Sequence, residues 1–379
     1  MAVIVDLIRK NDEHYVFNTE TILSIEALNT NNTYYLAKDS RVTHTVNNTS
    51  AVNRLSVNRS KFYLWIISSI LLISILIKNR NEKIILLSAT PLHYKICTNL
   101  SNLLSINIYL FMHGELGYIT SSNGVGQKIG KYLLNSSFNH SSNVTFIAIS
   151  KYIYIKLSNL YPKINLNYIE HPLQINHENH ENHENHENHE NHENHENHEI
   201  KIGVFGILSH KKSSEKIYDL VQELQFEDFK RIKIMTIGLS DGSFVYDRNE
   251  NIIHHLKGYS NSTLIPKERF LTEIQNLDYA LFFTGNNDEY DLIPSGVFSD
   301  CIAFEIPIIS LENEKMNFFF EQYGHIGYLC NDIENMAKVI KSITPKDKIQ
   351  FTNNIRQIKK ELSSTNYTLN LGKIIFPRA

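Results

Sequence analysis

Two consecutive α/β domains, each built on a doubly wound, Rossmann-like parallel sheet, are predicted by three features of the chain. Short apolar runs alternate with helix-period segments from end to end, the pattern of strand–helix–strand units whose sheet is covered on both faces. Several of those runs close on Gly, Ser or His, where a chain leaves a strand for a helix. A perfect tandem repeat, eight Asn-His-Glu triplets at 176–199, divides the chain into two stretches of similar pattern.

In the first stretch, residues 2–8 (AVIVDLI) read as a strand. A loop with Asp12, Glu13 and His14 follows, then a helix with Ile22, Leu23, Ile25 and Leu28 at helical spacing. Residues 34–37 form a second strand, and 40–58 are polar and aperiodic, so they read as a loop. Strands are expected at 83–87, at 107–112 (ending on His113-Gly114-Glu115) and at 143–150, each followed by a helix. Residues 62–77 are apolar apart from three Ser, with Lys61, Lys78, Arg80 and Lys83 around them. They fall short of the ~20 residues that cross a bilayer. The segment reads first as a buried helix, with a membrane-lying or a spanning helix as alternatives.

Pro172 closes the first domain (1–172), and 173–199 form the linker. The repeat cannot pack a core, and its histidines offer at most adventitious metal binding without fixed geometry. The second domain (200–345) opens with a strand at 200–206, ending in Gly206 and followed by Ser209-His210-Lys211-Lys212. Strands follow at 232–238 and 252–258, then a helix at 266–277 and a strand at 279–283. The next loop carries Asp288, Glu289 and Asp291. Pro294-Ser295-Gly296 opens a helix that leads to strands at 306–309 and 328–330. Residues 346–379 are a C-terminal helix and tail. A helix starting at Ser295-Gly296 offers free N–H groups and the positive end of its dipole beside the carboxyl ends of the strands, a seat for a phosphate.

Hydrophobic residues make up 42% of the 379, enough for packed cores and against disorder. The net charge of −3 hides a basic body: without the eight Glu of the repeat, 37 basic residues face 32 acidic ones, a balance of +5. That suits an anionic substrate or membrane surface and argues against nucleic acid as a partner. Three scattered cysteines without a CxxC pattern point to a reducing compartment, and MAVIVDLI lacks the charged start of a secretory signal, so a cytoplasmic location is expected.

Three places resemble the two-domain (GT-B type) nucleotide-sugar glycosyltransferases of bacterial surface-polysaccharide synthesis, such as capsule or lipopolysaccharide, and in particular glycosyltransferase group 1. The first is Gly206-Ile207-Leu208-Ser209-His210-Lys211-Lys212: the family has a basic residue six positions after the Gly, where Lys212 falls, but its Arg directly after the Gly is Ile207 here. The second is 295–309. The resemblance gives Ser295 and Gly296 contact with phosphate or sugar, and gives Asp300 the place of the second Glu of a two-glutamate motif that holds the ribose. The first Glu falls on Leu292, and Glu289 or Asp291 could serve instead. The third is 111–116, where His113 matches a His lining the cleft opposite the donor sugar.

The resemblance implies two domains facing each other across a cleft, the first for the acceptor and the second for the donor. It implies transfer of a hexose-type sugar from a nucleoside-diphosphate donor to a hydroxyl of a glycan or lipid-linked acceptor. No metal or other cofactor is expected, a UDP-sugar is favoured as co-substrate with a GDP-sugar as the alternative, and peripheral contact with the inner membrane is expected. Glu115 and His14 are the candidate general bases, with His113 beside them. The rival readings are a nucleotide-sugar epimerase of the same fold and a sugar-nucleotide binding protein without turnover.

Overall fold

The computed structural model describes residues 1–9, 13–29, 31–46, 51–55, 61–120, 124–140, 143–173, 199–245, 247, 249–256, 267–285 and 288–377. The repeat at 176–199 lies outside these residues except for Glu199. The chain divides into two units. The first holds Met1–Leu173, Asp288–Ser295 and Leu362–Ala379, and the second holds Gln174–Asn287 and Gly296–Glu361.

In chain order the first unit has β1 (Ala2–Asp6), α1 (Tyr15–Leu28), β2 (Asn32–Ala37), β3 (Ala51–Leu55), α2 (Lys61–Lys78), β4 (Lys83–Leu86) and α3 (Pro91–Leu104). β5 (Ile108–Met112), α4 (Gly117–Thr120), α5 (Val125–Phe138), β6 (Val144–Ile149), α6 (Lys151–Leu160) and β7 (Leu166–Ile169) follow. Its seven strands are all parallel, in the order β3-β2-β1-β4-β5-β6-β7. β1 and β4 are apolar runs because both faces of a parallel sheet are covered. The stretch at 40–58, expected to be a loop, contains a 3-10 turn (Arg41–His44) and β3, and β7 was not expected at all. Both are edge strands, paired on one side only.

α2 is amphipathic. Ser68, Ser69, Leu72, Ile75 and Leu76 are buried, whereas Tyr63, Ile66, Ile70 and Ile77 are exposed. Among the described residues no helix is long and apolar enough to cross a membrane.

The second unit has β8 (Ile200–Leu208), α7 (Lys216–Glu223), β9 (Ile232–Ser240), β10 (Ile252–Leu256), α8 (Lys267–Gln275) and β11 (Tyr279–Phe282). A short α9 (Asp288–Asp291) belongs to the first unit, and α10 (Gly296–Ala303) returns the chain to the second. β12 (Ile308–Leu311), α11 (Glu314–Tyr323), β13 (Gly327–Cys330), α12 (Ile333–Ser342) and α13 (Pro345–Glu361) complete it. The order β10-β9-β8-β11-β12-β13 is again wholly parallel. The last helix, α14 (Ser364–Ile375), packs on α1 of the first unit: Tyr367, Leu371 and Ile375 are buried, and the Thr21 and Tyr367 hydroxyls meet at 2.7 Å.

Each sheet reverses its strand order once, at β1/β4 in the first unit and at β8/β11 in the second. In doubly wound sheets ligands bind outside the carboxyl ends of the strands at such a reversal.

Candidate functional sites

At the β1/β4 reversal the first unit holds a cavity of about 450 Å³. Ile8, Arg9, Glu13 and His14 line it from the loop after β1, Ala89, Thr90 and Pro91 from the turn after β4, and Gly114 and Glu115 from the end of β5. Leu64 and Trp65 of α2 and Tyr118 of α4 form an apolar wall. One side of the cavity is therefore charged and the other aromatic.

The loop after β1 is fixed by Asp6, the last residue of the strand. Its buried carboxylate accepts from Asn18 Nδ2 at 2.7 Å and from Ser88 Oγ at 2.5 Å, and from the backbone N–H groups of Ile8 and Arg9 at 3.4 and 3.3 Å. A buried carboxylate needs such a set of donors. The result ties the loop that carries Arg9 to the end of β4.

Glu115 is buried, and its Oε1 accepts from Tyr94 Oη at 2.5 Å and from the His113 backbone N–H at 2.8 Å. Burial raises its pKa, opposed by the positive charge of Arg9 and by those two hydrogen bonds. His113 is buried too. Its Nε2–H donates to the Leu87 carbonyl at 2.8 Å, and its ring lies 4.3 Å from that of His14 and 4.7 Å from that of Phe17. His14 caps α1 in a left-handed conformation (φ 55°). Burial, with Arg9 and neighbouring imidazoles adding in the same sense, holds both histidines well below their ordinary pKa, so both are neutral near pH 7. The structure thus brings Glu115 and His14 to one cavity. His113 stands behind them, with its Nε2 committed to the backbone.

Arg9 and Tyr94 are the functional-looking residues that sequence reading missed. Arg9 bears electrostatically on His14, His113, Glu115 and Tyr94. Its place in the first loop after a strand was the available signal. Tyr94 lies inside α3 and carried none.

In the second unit the loop after β8 forms a 3-10 turn, His210–Lys212, closed by Ser213 in the left-handed region (φ 52°). Ser209 knots it, donating its N–H to Ser214 Oγ at 3.1 Å and accepting from the N–H groups of Lys212 and Ser214. Lys212 is half-buried beside Asp241, which follows β9, and Asp300 of α10. Burial draws its pKa down to about 8, resisted by the two carboxylates. Lys211 is exposed.

Gly206 sits at φ 92°, and a Cβ there would lie 2.9 Å from Val297 Cγ2, so glycine lets the first turn of α10 close on β8. Gly296, the first residue of α10, is exposed, and a Cβ on it would meet nothing within 4 Å, so the helix end is open. Phe298 holds α10 by stacking on Phe319 at 4.2 Å. Lys212, Asp300 and the start of α10 are therefore gathered at the β8/β11 reversal.

Ser295 closes the segment that folds with the first unit, where its side chain bonds Tyr290. The side chain of Glu289 lies outside the described residues. Asp291 accepts from the Tyr152 hydroxyl and lies 3.6 Å from Lys156 Nζ. Leu292, at the place of the resembled family's first Glu, is buried. Among the described residues no cluster of three His, Cys, Asp or Glu side chains forms a metal-ligand set. All three cysteines are free and buried.

No family model matches the sequence, and no curated protein matches it. Solved structures do match along almost the whole chain. The Anabaena protein HepE, in complex with UDP and glucose, is similar with a TM-score of 0.65 at 10% identity, over 98% of each chain. Sucrose-phosphate synthase from Thermosynechococcus elongatus gives 0.63 at 9% identity, over 98% of this chain and 97% of that one. A trehalose-6-phosphate structure from E. coli, bound with UDP-2-fluoro glucose, gives 0.64 at 9% identity, over 100% and 99%. At such identities the likeness speaks for architecture alone, and the architecture of this chain is the GT-B fold.

Proposed function

We propose that the chain is a glycosyltransferase that passes a hexose-type sugar from a nucleoside-diphosphate donor to a hydroxyl of a glycan or lipid-linked acceptor, in the synthesis of a bacterial surface polysaccharide. The observation that carries this reading is Lys212, a half-buried ammonium between Asp241 and Asp300 near the open end of α10. A half-buried cation beside a helix N-terminus is an arrangement for phosphate. The GT-B fold adds support, since solved proteins of similar architecture hold UDP or a UDP-sugar.

In the reaction the acceptor oxygen bonds to the anomeric carbon while the bond from that carbon to the diphosphate breaks. The electron pair leaves on the nucleoside diphosphate, where Lys212 and the N–H groups of α10 receive the charge. The acceptor proton goes to a base. Glu115 suits this role better than His14, because burial moves its pKa up toward neutrality whereas that of His14 moves well below it. His113 keeps His14 in place as a positioning residue. Asp300, with Gly296 at the start of α10 and Ser295 just before it, completes the donor side, and Gly206 allows the close approach of α10. UDP-sugars are the favoured donors, and contact with the inner leaflet would bring a lipid-linked acceptor within reach.

Calorimetric titration with a panel of UDP- and GDP-sugars tests the reading, repeated on Lys212→Ala and Asp300→Ala. Loss of a hydrogen bond to a charged group, about 1.5–3 kcal/mol, predicts roughly ten- to hundredfold weaker binding for Lys212→Ala. Affinity should also fall as pH rises through about 8, where Lys212 loses its proton, and the variant should lose that dependence. Donor binding unchanged in both variants would sink the assignment, and an altered sugar recovered from donor alone would turn it toward an epimerase.

A further inference from the structure

The cavity at the β1/β4 reversal has two unlike walls. Its volume of about 450 Å³ is that of a small-molecule site. Leu64 and Trp65 of α2 and Tyr118 of α4 make one wall. The Trp65 and Tyr118 rings lie 6.2 Å apart between centroids at an angle of 78°, so together they make a corner. Both are partly exposed. The Tyr118 ring packs on Gly130 of α5, where a Cβ would lie 2.5 Å from it, so α5 fixes one side of that corner. Two large aromatic rings held at a fixed angle beside open space offer a surface to an apolar face of a ligand.

The other wall is polar but carries no surplus of positive charge. Arg9 is the one permanent cation among the described lining residues, and Glu13 and Glu115 stand against it. His14 is neutral near pH 7, because burial and Arg9 hold its pKa well down. The Glu115 carboxylate is held in place by Tyr94 and by the His113 N–H, both on Oε1. Its charge also bears on Tyr118, so the two walls are within reach of one small ligand. A phosphate or carboxylate in this cavity would meet two carboxylates and one guanidinium, where an anion site gathers cations and N–H groups. A polyprenyl chain would leave Arg9 and the two carboxylates under hydrocarbon, which is costly. A pyranose fits both walls. Its ring C–H bonds make an apolar face that suits the negative face of an aromatic ring, and its hydroxyls donate to a carboxylate and accept from a guanidinium.

We infer that this cavity seats an uncharged pyranose, its C–H face against Trp65 and Tyr118 and its hydroxyls bonded by Arg9 and Glu115. Calling that sugar the acceptor rests on the transfer reading above, but its binding does not. In that reading the acceptor presents a neutral sugar residue here, and a sugar phosphate, a uronic acid or a bare lipid phosphate is refused. The hydroxyl that Glu115 bonds is then the one that reacts.

Trp65 is the only tryptophan of the chain, so its fluorescence reports on the wall of this cavity. The test is a titration of the full chain with methyl glycosides and disaccharides of neutral hexoses, with hexose 6-phosphates, with glucuronic acid and with farnesyl phosphate. At least one neutral glycoside should change the Trp65 emission saturably, and its 6-phosphate should bind roughly tenfold more weakly. Glu13→Gln should narrow that gap, since it removes one of the two carboxylates. In proton NMR the C–H protons of the bound sugar should move upfield, as the ring current over a stacked face requires. Trp65→Leu should weaken binding roughly two- to tenfold in the same spectra, and Trp65→Phe should restore most of it. If no neutral glycoside binds up to its solubility limit, the inference is overturned. It is overturned as well by a 6-phosphate, a uronate or farnesyl phosphate that binds more tightly than the neutral sugar, or by a Phe variant as weak as the Leu variant. Donor binding is read separately, by calorimetry with UDP-sugars. Donor binding without sugar binding refutes this inference alone, and sugar binding without donor binding refutes the transfer reading alone.

Discussion

Replacing Tyr94 with Phe should destabilise the first unit by an amount that depends on pH, because the hydroxyl it removes serves one buried carboxylate. The ring of Tyr94 stacks on Phe146 and meets Phe138 edge-on, both at 5.7 Å, and Phe preserves those contacts. What is lost is the Oη–H bond to Glu115 Oε1 at 2.5 Å. A bond to an ionised partner contributes about 1.5–3 kcal/mol, and at ~1.36 kcal/mol per pKa unit its loss would raise the Glu115 pKa by roughly one to two units. The folded pKa of Glu115 already lies above its unfolded value of about 4.3. Its contribution is therefore full below that pH and is lost as pH rises through the folded pKa. Raising the folded pKa further makes the variant's deficit small near pH 4 and larger as pH climbs through the titration, with a plateau above it. Trp65 is the only tryptophan and belongs to the first unit, so urea unfolding followed by its fluorescence isolates this unit from the other. A deficit under about 0.5 kcal/mol, or one flat across pH, would refute the claim that Tyr94 supports an ionisable Glu115.

His93 is fully buried, its Nε2–H donating to Ser68 Oγ at 2.9 Å and its Nδ1 accepting from the Thr90 N–H, and burial holds its pKa at about 3. The unfolded value is about 6.5, so stability is full above that pH and falls with acidification, by about 3 kcal/mol at pH 4 from this residue. Trp65-monitored unfolding should show that slope, and His93→Gln should flatten it. Gly206→Ala should cost about 1–3 kcal/mol, since it places a Cβ at φ 92° and 2.9 Å from Val297. Circular dichroism of thermal unfolding would register the loss in the second unit, and UDP binding would weaken with it.

The central strands were legible because a parallel sheet covered on both faces demands unbroken apolar runs, and AVIVD and KIIL supply them. β3 and β7 were not, because an edge strand is held by backbone pairing on one side and its outer residues can be polar. Asn53 and Arg54 in β3 and Asn167 in β7 have the composition of a loop. α14 was read as a tail, although Tyr367, Leu371 and Ile375 stand at i, i+4 and i+8. Its partner could not be read, since Thr21, which meets Tyr367, lies 346 positions away.

The candidate sites divide along the same line. His14, His113, Glu115 and Lys212 follow strands and Gly206 lies near the end of one, so topology marks them for a ligand. Their partners carry no local mark. Tyr94 reaches from the first turn of α3 to Glu115, and Asp6 gathers Asn18 and Ser88 across the β1/β4 reversal. The carboxylates near the start of α10 show the cost of reading position without packing. Asp291 looked available to a donor by its spacing, yet Tyr152 and Lys156 hold it, while Asp300, one turn into α10, stands beside Lys212. A buried charge must be met by some group. The sequence shows where the charge is, and only the fold decides which group meets it and whether it stays open to a ligand.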